Sequence, residues 1–191
     1  YFAALRLAPP AEAGLICYLW PLLIVLGADL ILDKRLSLPT LLGGCLSFAG
    51  IVTLMSGRSI ALTLDGTTLP GYLCALAAAF TWAFYSLASN RMETVPTDTV
   101  TGFCLATALL SFLAHLLFEN PVWPAQSSEW LAIVGLGLGP VGAAFYLWDY
   151  GMKEGDIRTI GFASYATPVF STAILMIMGE AQATQELALA C

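Results

Sequence analysis

The chain has 191 residues, of which 59% are hydrophobic and only 10% charged, with a mean hydropathy of +0.82. A soluble domain of that length carries about a quarter charged residues, so these values exclude an ordinary water-soluble globule. The net charge of −6 is scattered over loops and helix ends without a basic face, which excludes a nucleic-acid partner.

Residues 1–8 read as the tail of a helix, and no short apolar region with a small-residue cleavage site marks a secretory signal. Six apolar segments follow, at about 11–32, 39–56, 69–90, 99–118, 130–152 and 157–178. Each reaches or approaches the roughly 20 residues needed to cross a bilayer and is bounded by polar or Pro/Gly punctuation. The longest connection is Gly57 to Thr68, and residues 180–191 read as the start of a further helix. The fold class is therefore an all-α integral membrane protein. Lys34, Arg35, Arg91, Lys153 and Arg158 lie on one side of these segments, and Arg6 and Arg58 on the other. The positive-inside rule puts the first set in the cytoplasm.

The first and last segments share a motif. Gly14-x-x-x-Tyr18-x-x-Pro21 recurs without a gap, 147 residues on, as Gly161-x-x-x-Tyr165-x-x-Pro168. The flanks agree in kind: Arg6 with Lys153, Asp33 with Glu180, Ser37 with Thr184. Five helical steps separate the copies, an odd number, so matching helices cross in opposite directions. That is an inverted-topology repeat, the architecture of many secondary transporters. A five-helix unit implies a parent of ten helices. Residues 1–58 then close the first repeat (a partial third helix, then the fourth and fifth). Residues 59–191 carry the second (sixth to ninth, and a truncated tenth).

Aromatic residues stand out inside the segments. Tryptophans in membranes favour the headgroup level, and Trp123, Trp130 and Trp148 suit that role. Trp20 and Trp82 fall mid-segment, where an indole N–H needs a partner; they either line a cavity or pack between helices. Tyr85 follows Trp82 by three residues and continues its face, as does Ser89. Tyr18 and Tyr165 are related by the repeat, and their hydroxyls contact either a solute or a carbonyl freed by Pro21 or Pro168. Gly135, Gly137, Gly139, Pro140 and Gly142 crowd one helix, and Gly43-x-x-x-Ser47 marks another. Both patterns suit close helix packing, and Pro140, with Pro21 and Pro168, also suits bending.

Ionisable residues singled out within the segments are Asp29, His115 and Asp149. Asp149 precedes Lys153 by four and suits pairing with it, whereas Asp29 and His115 stand near helix ends. Proton coupling is the other role open to them. No lysine or arginine lies mid-segment to receive an anionic solute, so a neutral, zwitterionic or weakly cationic one is expected. With a single histidine and no G-x-S-x-G, an intramembrane hydrolase is not expected. Cys17, Cys45, Cys74, Cys104 and Cys191 have neither metal-site nor disulfide-framework spacing. Neither a metal nor a bound cofactor is expected, and the chain is taken to act as a monomer in lipid.

The turn Asp33-Lys34-Arg35-Leu36-Ser37-Leu38-Pro39-Thr40-Leu41-Leu42-Gly43, after a proline-bearing helix, resembles the drug/metabolite transporter superfamily and its EamA-type ten-helix exporters. Within these, Tyr18-Leu19-Trp20-Pro21, Ala79 to Tyr85 and Ala163 to Val169 resemble the exporters of aromatic amino acids. The resemblance implies efflux of aromatic and other amino acids across a bacterial inner membrane, and by resemblance alone Tyr1 joins the substrate site. Export of other small neutral or cationic metabolites, or a scaffold role without transport, remains as an alternative.

Overall fold

A computed structural model describes residues 1–56, 65–119 and 123–177. The helices in chain order are α1 (Phe2–Leu7), α2 (Pro10–Cys17), α3 (Trp20–Ala28), α4 (Leu38–Ser56), α5 (Leu69–Asn90), α6 (Thr99–Phe118), α7 (Ser127–Leu136), α8 (Ala144–Glu154), α9 (Ile157–Ala163) and α10 (Thr167–Ile177). No strand occurs among the described residues. Four runs are long and apolar enough to cross a membrane: Pro10–Asp33, Leu69–Asn90, Thr99–Phe118 and Ser127–Glu154. They correspond to four of the six segments expected from sequence. The Gly57–Thr68 connection up to residue 64, and the expected start of a helix at 180–191, lie outside the described residues.

The two copies of the motif break their helices at the same place. In the first, α2 stops at Cys17 and α3 begins at Trp20, one residue before Pro21. Leu19 N–H reaches only Ile16 O, at 3.2 Å, a tightened turn. In the second, α9 stops at Ala163, a 3₁₀ turn spans Ser164–Ala166, and α10 begins one residue before Pro168. The cause is shared: proline has no N–H for the carbonyl one turn back, and its ring excludes a regular turn there.

The chain divides into two compact units, residues 1–88 with 156–191, and residues 89–155. In the first, α3 and α9 pack in opposite order. Arg158 meets Asp29 and Asp33, Gly161 abuts Ile24 and Val25, and Tyr165 shares an apolar cluster with Leu15, Tyr18 and Leu22. Numbers rise along α9 as they fall along α3, so the two run antiparallel. The absence of a side chain at Gly161 permits this approach, since a Cβ there would lie 2.5 Å from Val25 Cγ2. Gly71 does the same where α5 meets the α1–α2 junction, since a Cβ there would lie 2.8 Å from the Ala8 nitrogen. The buried face of α5, Tyr72, Ala75, Ala79 and Ala83, recurs at helical spacing.

The second unit is joined by polar bonds. Asp149 is 3% exposed; it accepts from Lys153 Nζ at 2.5 Å and Ser89 Oγ at 3.0 Å. Asn90 Nδ2 donates to Met152 O at 2.7 Å, and the Tyr146 hydroxyl donates to Asp98. Around this joint α6 and α7 expose Leu105, Leu109, Leu117, Leu131 and Ile133. Apolar area of that extent marks contact with lipid or with another protein surface. The helix after α7 turns π-helical over Gly137–Ala143, with Pro140 inside it. Among the described residues nothing lies within 4 Å of a Cβ built on Gly135, Gly137 or Gly139, whereas a Cβ on Gly142 would lie 2.8 Å from the Gly137 carbonyl oxygen.

Two caps set the helix starts near the first unit's charged end. Ser37 Oγ accepts from Thr40 N–H at 3.2 Å ahead of α4. Asp156 accepts from Thr159 N–H at 2.8 Å and Thr159 Oγ1 at 2.6 Å ahead of α9. These bonds hold the Asp156 carboxyl below its ordinary range. Asp156→Ala is expected to lower stability by about 1 kcal/mol near neutral pH. Because the folded-state value is depressed, the difference from the parent should shrink as pH falls through it, and thermal unfolding in detergent at several pH values checks this.

Candidate solute site

Two groups of residues could receive a solute, both in the first unit. The first is aromatic. Trp20, at the start of α3, sets its ring 6.3 Å from that of Trp82 in α5, nearly perpendicular at 83°. Trp82 also meets Tyr85 at 5.5 Å and 43°. Edge-to-face pairs of this kind are worth roughly 0.5–1.5 kcal/mol beyond their area burial. The three rings are only half-buried, so part of their surface remains for another flat ring.

The second is a cavity of about 410 Å³ bordered by Leu46, Ser47, Gly50 and Ile51 of α4 and by Tyr165, Ala166 and Val169. That lies within the range of small-molecule sites. Tyr165 is 7% exposed, and its hydroxyl oxygen is buried without a hydrogen-bond partner among the described residues. An unpaired buried hydroxyl costs about 1–3 kcal/mol, which a bound polar group would offset.

Of the residues predicted from sequence, the structure therefore joins Trp20, Trp82 and Tyr85 in one group and puts Tyr165 in the wall of the cavity. Tyr18 packs half-buried against the cluster of Leu15, Ile51 and Tyr165. Trp20 and Trp82 do not border the cavity. Tyr1 is half exposed, with its ring against Phe2. Ser89 is committed to Asp149, and Thr81 to the Ala77 carbonyl at 2.7 Å. Pro21 and Pro168 are buried beside the helix breaks.

The charged residues have found partners. Asp149 pairs with Lys153 as its spacing predicts, and His115 Nδ1 lies 2.7 Å from Glu119 at an exposed helix end. Asp29, 1% exposed, accepts from Arg158 Nε at 2.7 Å and from Ser37 N–H at 2.9 Å. Sequence reasoning passed over Glu12, which is 5% exposed and accepts from the Tyr72 hydroxyl inside a ring of alanines. Its signal was present, since Glu12 is a charge just inside the first apolar segment. The α4 wall was also missed, although Gly43-x-x-x-Ser47 had marked that helix: Gly43 meets the Phe162 ring and Ser47 borders the cavity. No group of three metal-ligating side chains occurs among the described residues.

Comparison with known proteins supplies a family. The profile of the EamA-like transporter family matches residues 1–56 and 69–189. The chain is 53% identical over all 191 residues to the aromatic amino acid exporter YddG of Ancylobacter novellus, of which it covers 66%. It is 26% identical over 176 residues to the protein of that name from Salmonella typhimurium, covering 58% of it. A crystal structure of a protein 53% identical in sequence matches with a TM-score of 0.93, over 100% of this chain and 66% of that one. The chain thus spans about two thirds or less of the length of these curated relatives.

Proposed function

Because the chain belongs to the EamA-like transporter family, we propose that it forms part of a secondary transporter that exports aromatic and other amino acids by alternating access. The observation that carries the reading is the paired break. Two copies of one motif interrupt their helices and resume them one residue before the proline, the motif helices pack antiparallel, and the second copy borders, with α4, a cavity that holds a buried hydroxyl. Discontinuous helices at a repeat interface are where such transporters hold their solutes. The aromatic choice rests on Trp20, Trp82 and Tyr85, and on the relatives named aromatic amino acid exporters.

In this reading the parent has ten helices in two inverted repeats, divided here near residue 58. All six apolar segments span, the basic loops face the cytoplasm, and the protein sits in a bacterial inner membrane as a monomer. Rocking about Pro21, Pro168 and Pro140 exposes the site to each side in turn. There is no chemical step. Trp20, Trp82 and Tyr85 offer ring faces to an aromatic solute, and Tyr165, with Tyr18 beside it, offers its hydroxyl to the polar group of a solute in the cavity. Tyr1 joins this site by the family resemblance alone.

Flux of radiolabelled amino acids in liposomes containing the full-length protein tests this. Trp20→Ala and Trp82→Ala should slow phenylalanine and tryptophan several-fold and a small aliphatic amino acid less. Tyr165→Phe should change stability little, yet slow every amino acid, because it removes a polar atom from the cavity wall. Wild-type rates in all three variants would leave the aromatic group and the cavity as packing features only.

A further inference from the structure

The two ends of the motif-bearing helices are not equivalent. Arg158 opens α9 and reaches two carboxylates distant in sequence: its Nε donates to Asp29 at 2.7 Å, and a terminal nitrogen donates to Asp33. Asp29 and Asp33 lie in a π-helical turn, Asp29–Asp33, that extends α3. Such turns are rare and concentrate at functional positions. Asp29 also takes the Ser37 N–H, so one buried carboxylate ties α3, the start of α4 and α9 together.

The repeat offset of 147 shows what stands at the other end. The counterpart of Arg158 is Ala11, and that of Asp29 is Met176. No such ion pair can form between them. The packing differs in the same sense. α3 lies along α9, whereas α10 and α2, their counterparts, show no comparable packing among the described residues. One end of the helix pair is thus closed and bolted by charge, and its counterpart lacks both the arginine and the buried carboxylate of the bolt, with Ala11 and Met176 in their places.

We propose that Arg158, Asp29 and Asp33 form a latch across the two repeats that holds the face carrying Lys34 and Arg35 closed at rest. The latch rests on the reading of the protein as an inverted-repeat transporter. Its action is differential. In the closed form the guanidinium makes charge-assisted bonds to a carboxylate removed from water; in the open form each group is hydrated separately. A ligand or substitution acts on the equilibrium only through such a difference between states. The other end lacks the device, so opening toward the opposite face is the easier motion.

The test uses the full-length protein with its native cysteines replaced and a single cysteine at Ala166, in the cavity wall. A membrane-impermeant maleimide is applied separately from each side in oriented vesicles. The unaltered latch should allow labelling from the face opposite the basic loops and little from the basic face. Arg158→Gln should raise labelling from the basic face several-fold. Arg158→Lys, which keeps the charge but lacks the rigid guanidinium fork, should fall between. Asp33→Asn removes the exposed arm alone, and should raise labelling to a smaller degree even if Arg158→Gln fails to insert. Basic-face labelling at the parent rate in every variant that inserts would overturn the latch while leaving the transport reading intact. Equal labelling from both faces, or from neither, with the latch unaltered would overturn the transport reading and the latch with it.

Discussion

Replacing Gly161 with leucine should abolish the folded transporter, whereas the same change at Gly135 should be tolerated. A Cβ at Gly161 would sit 2.5 Å from Val25 Cγ2, 3.5 Å from Ile24 Cγ2 and 3.7 Å from Pro21 O. Val25 and Ile24 are both fully buried, and β-branched side chains are stiff at χ1, so neither can swing aside. Even Gly161→Ala should cost about 1–3 kcal/mol by overpacking, and leucine adds three more carbons at the crossing of the two motif helices. At Gly135 nothing among the described residues lies within 4 Å of the built Cβ, so alanine there should stabilise the helix by roughly 0.5–1 kcal/mol. Gel filtration and thermal unfolding in detergent read both. A monodisperse Gly161→Leu protein with parental thermal stability would show that α3 and α9 do not depend on this contact.

That crossing was legible in the sequence because its chemistry is local. Glycine for close approach, tyrosine at the break and proline one turn on stand at fixed spacing in both copies, and each acts on its own helix. Spans were legible for the same reason, through hydropathy: Leu69–Asn90 and Thr99–Phe118 fall where the apolar runs place them. The ionic contacts divided by distance. Asp149 and Lys153 are one turn apart on one helix, and their spacing announced the pair. Arg158 and Asp29 are 129 residues apart, and nothing near either names the other. The cavity wall was hidden in another way. Leu46, Gly50, Ile51 and Val169 are ordinary residues for a membrane helix, and only their meeting with Tyr165 gives them a role. Trp20 and Trp82 were legible as unusual positions, but their edge-to-face contact, and its separation from the cavity wall, are products of packing.

The second large effect is expected at the polar joint of the other unit. Asp149→Ala should destabilise the protein by about 3–5 kcal/mol, the usual result of leaving one member of a buried ion pair behind. The side chains of Lys153 and Asp149 are 6% and 4% exposed, so neither can turn to water without moving its helix. After the substitution the ammonium would keep the Val95 carbonyl at 2.9 Å and no carboxylate. Removing both charges should cost much less, because a buried pair replaced by apolar groups of similar size is often neutral. Asp149→Leu with Lys153→Met is therefore expected to recover most of the lost stability, with Ser89 and Thr97 left as polar groups to satisfy. This comparison also decides between the two roles open to an intramembrane carboxylate. Under the proposed export function, a purely structural pair predicts that the double variant in the full-length protein moves amino acids at close to the parental rate, with the same pH dependence. A proton-coupling pair predicts a protein that folds and binds solute but loses pH-dependent flux. The lysine one turn away, the serine bond and the near-complete burial all favour the structural outcome. A folded double variant without pH-dependent export would reverse that assignment and make Asp149 the coupling residue.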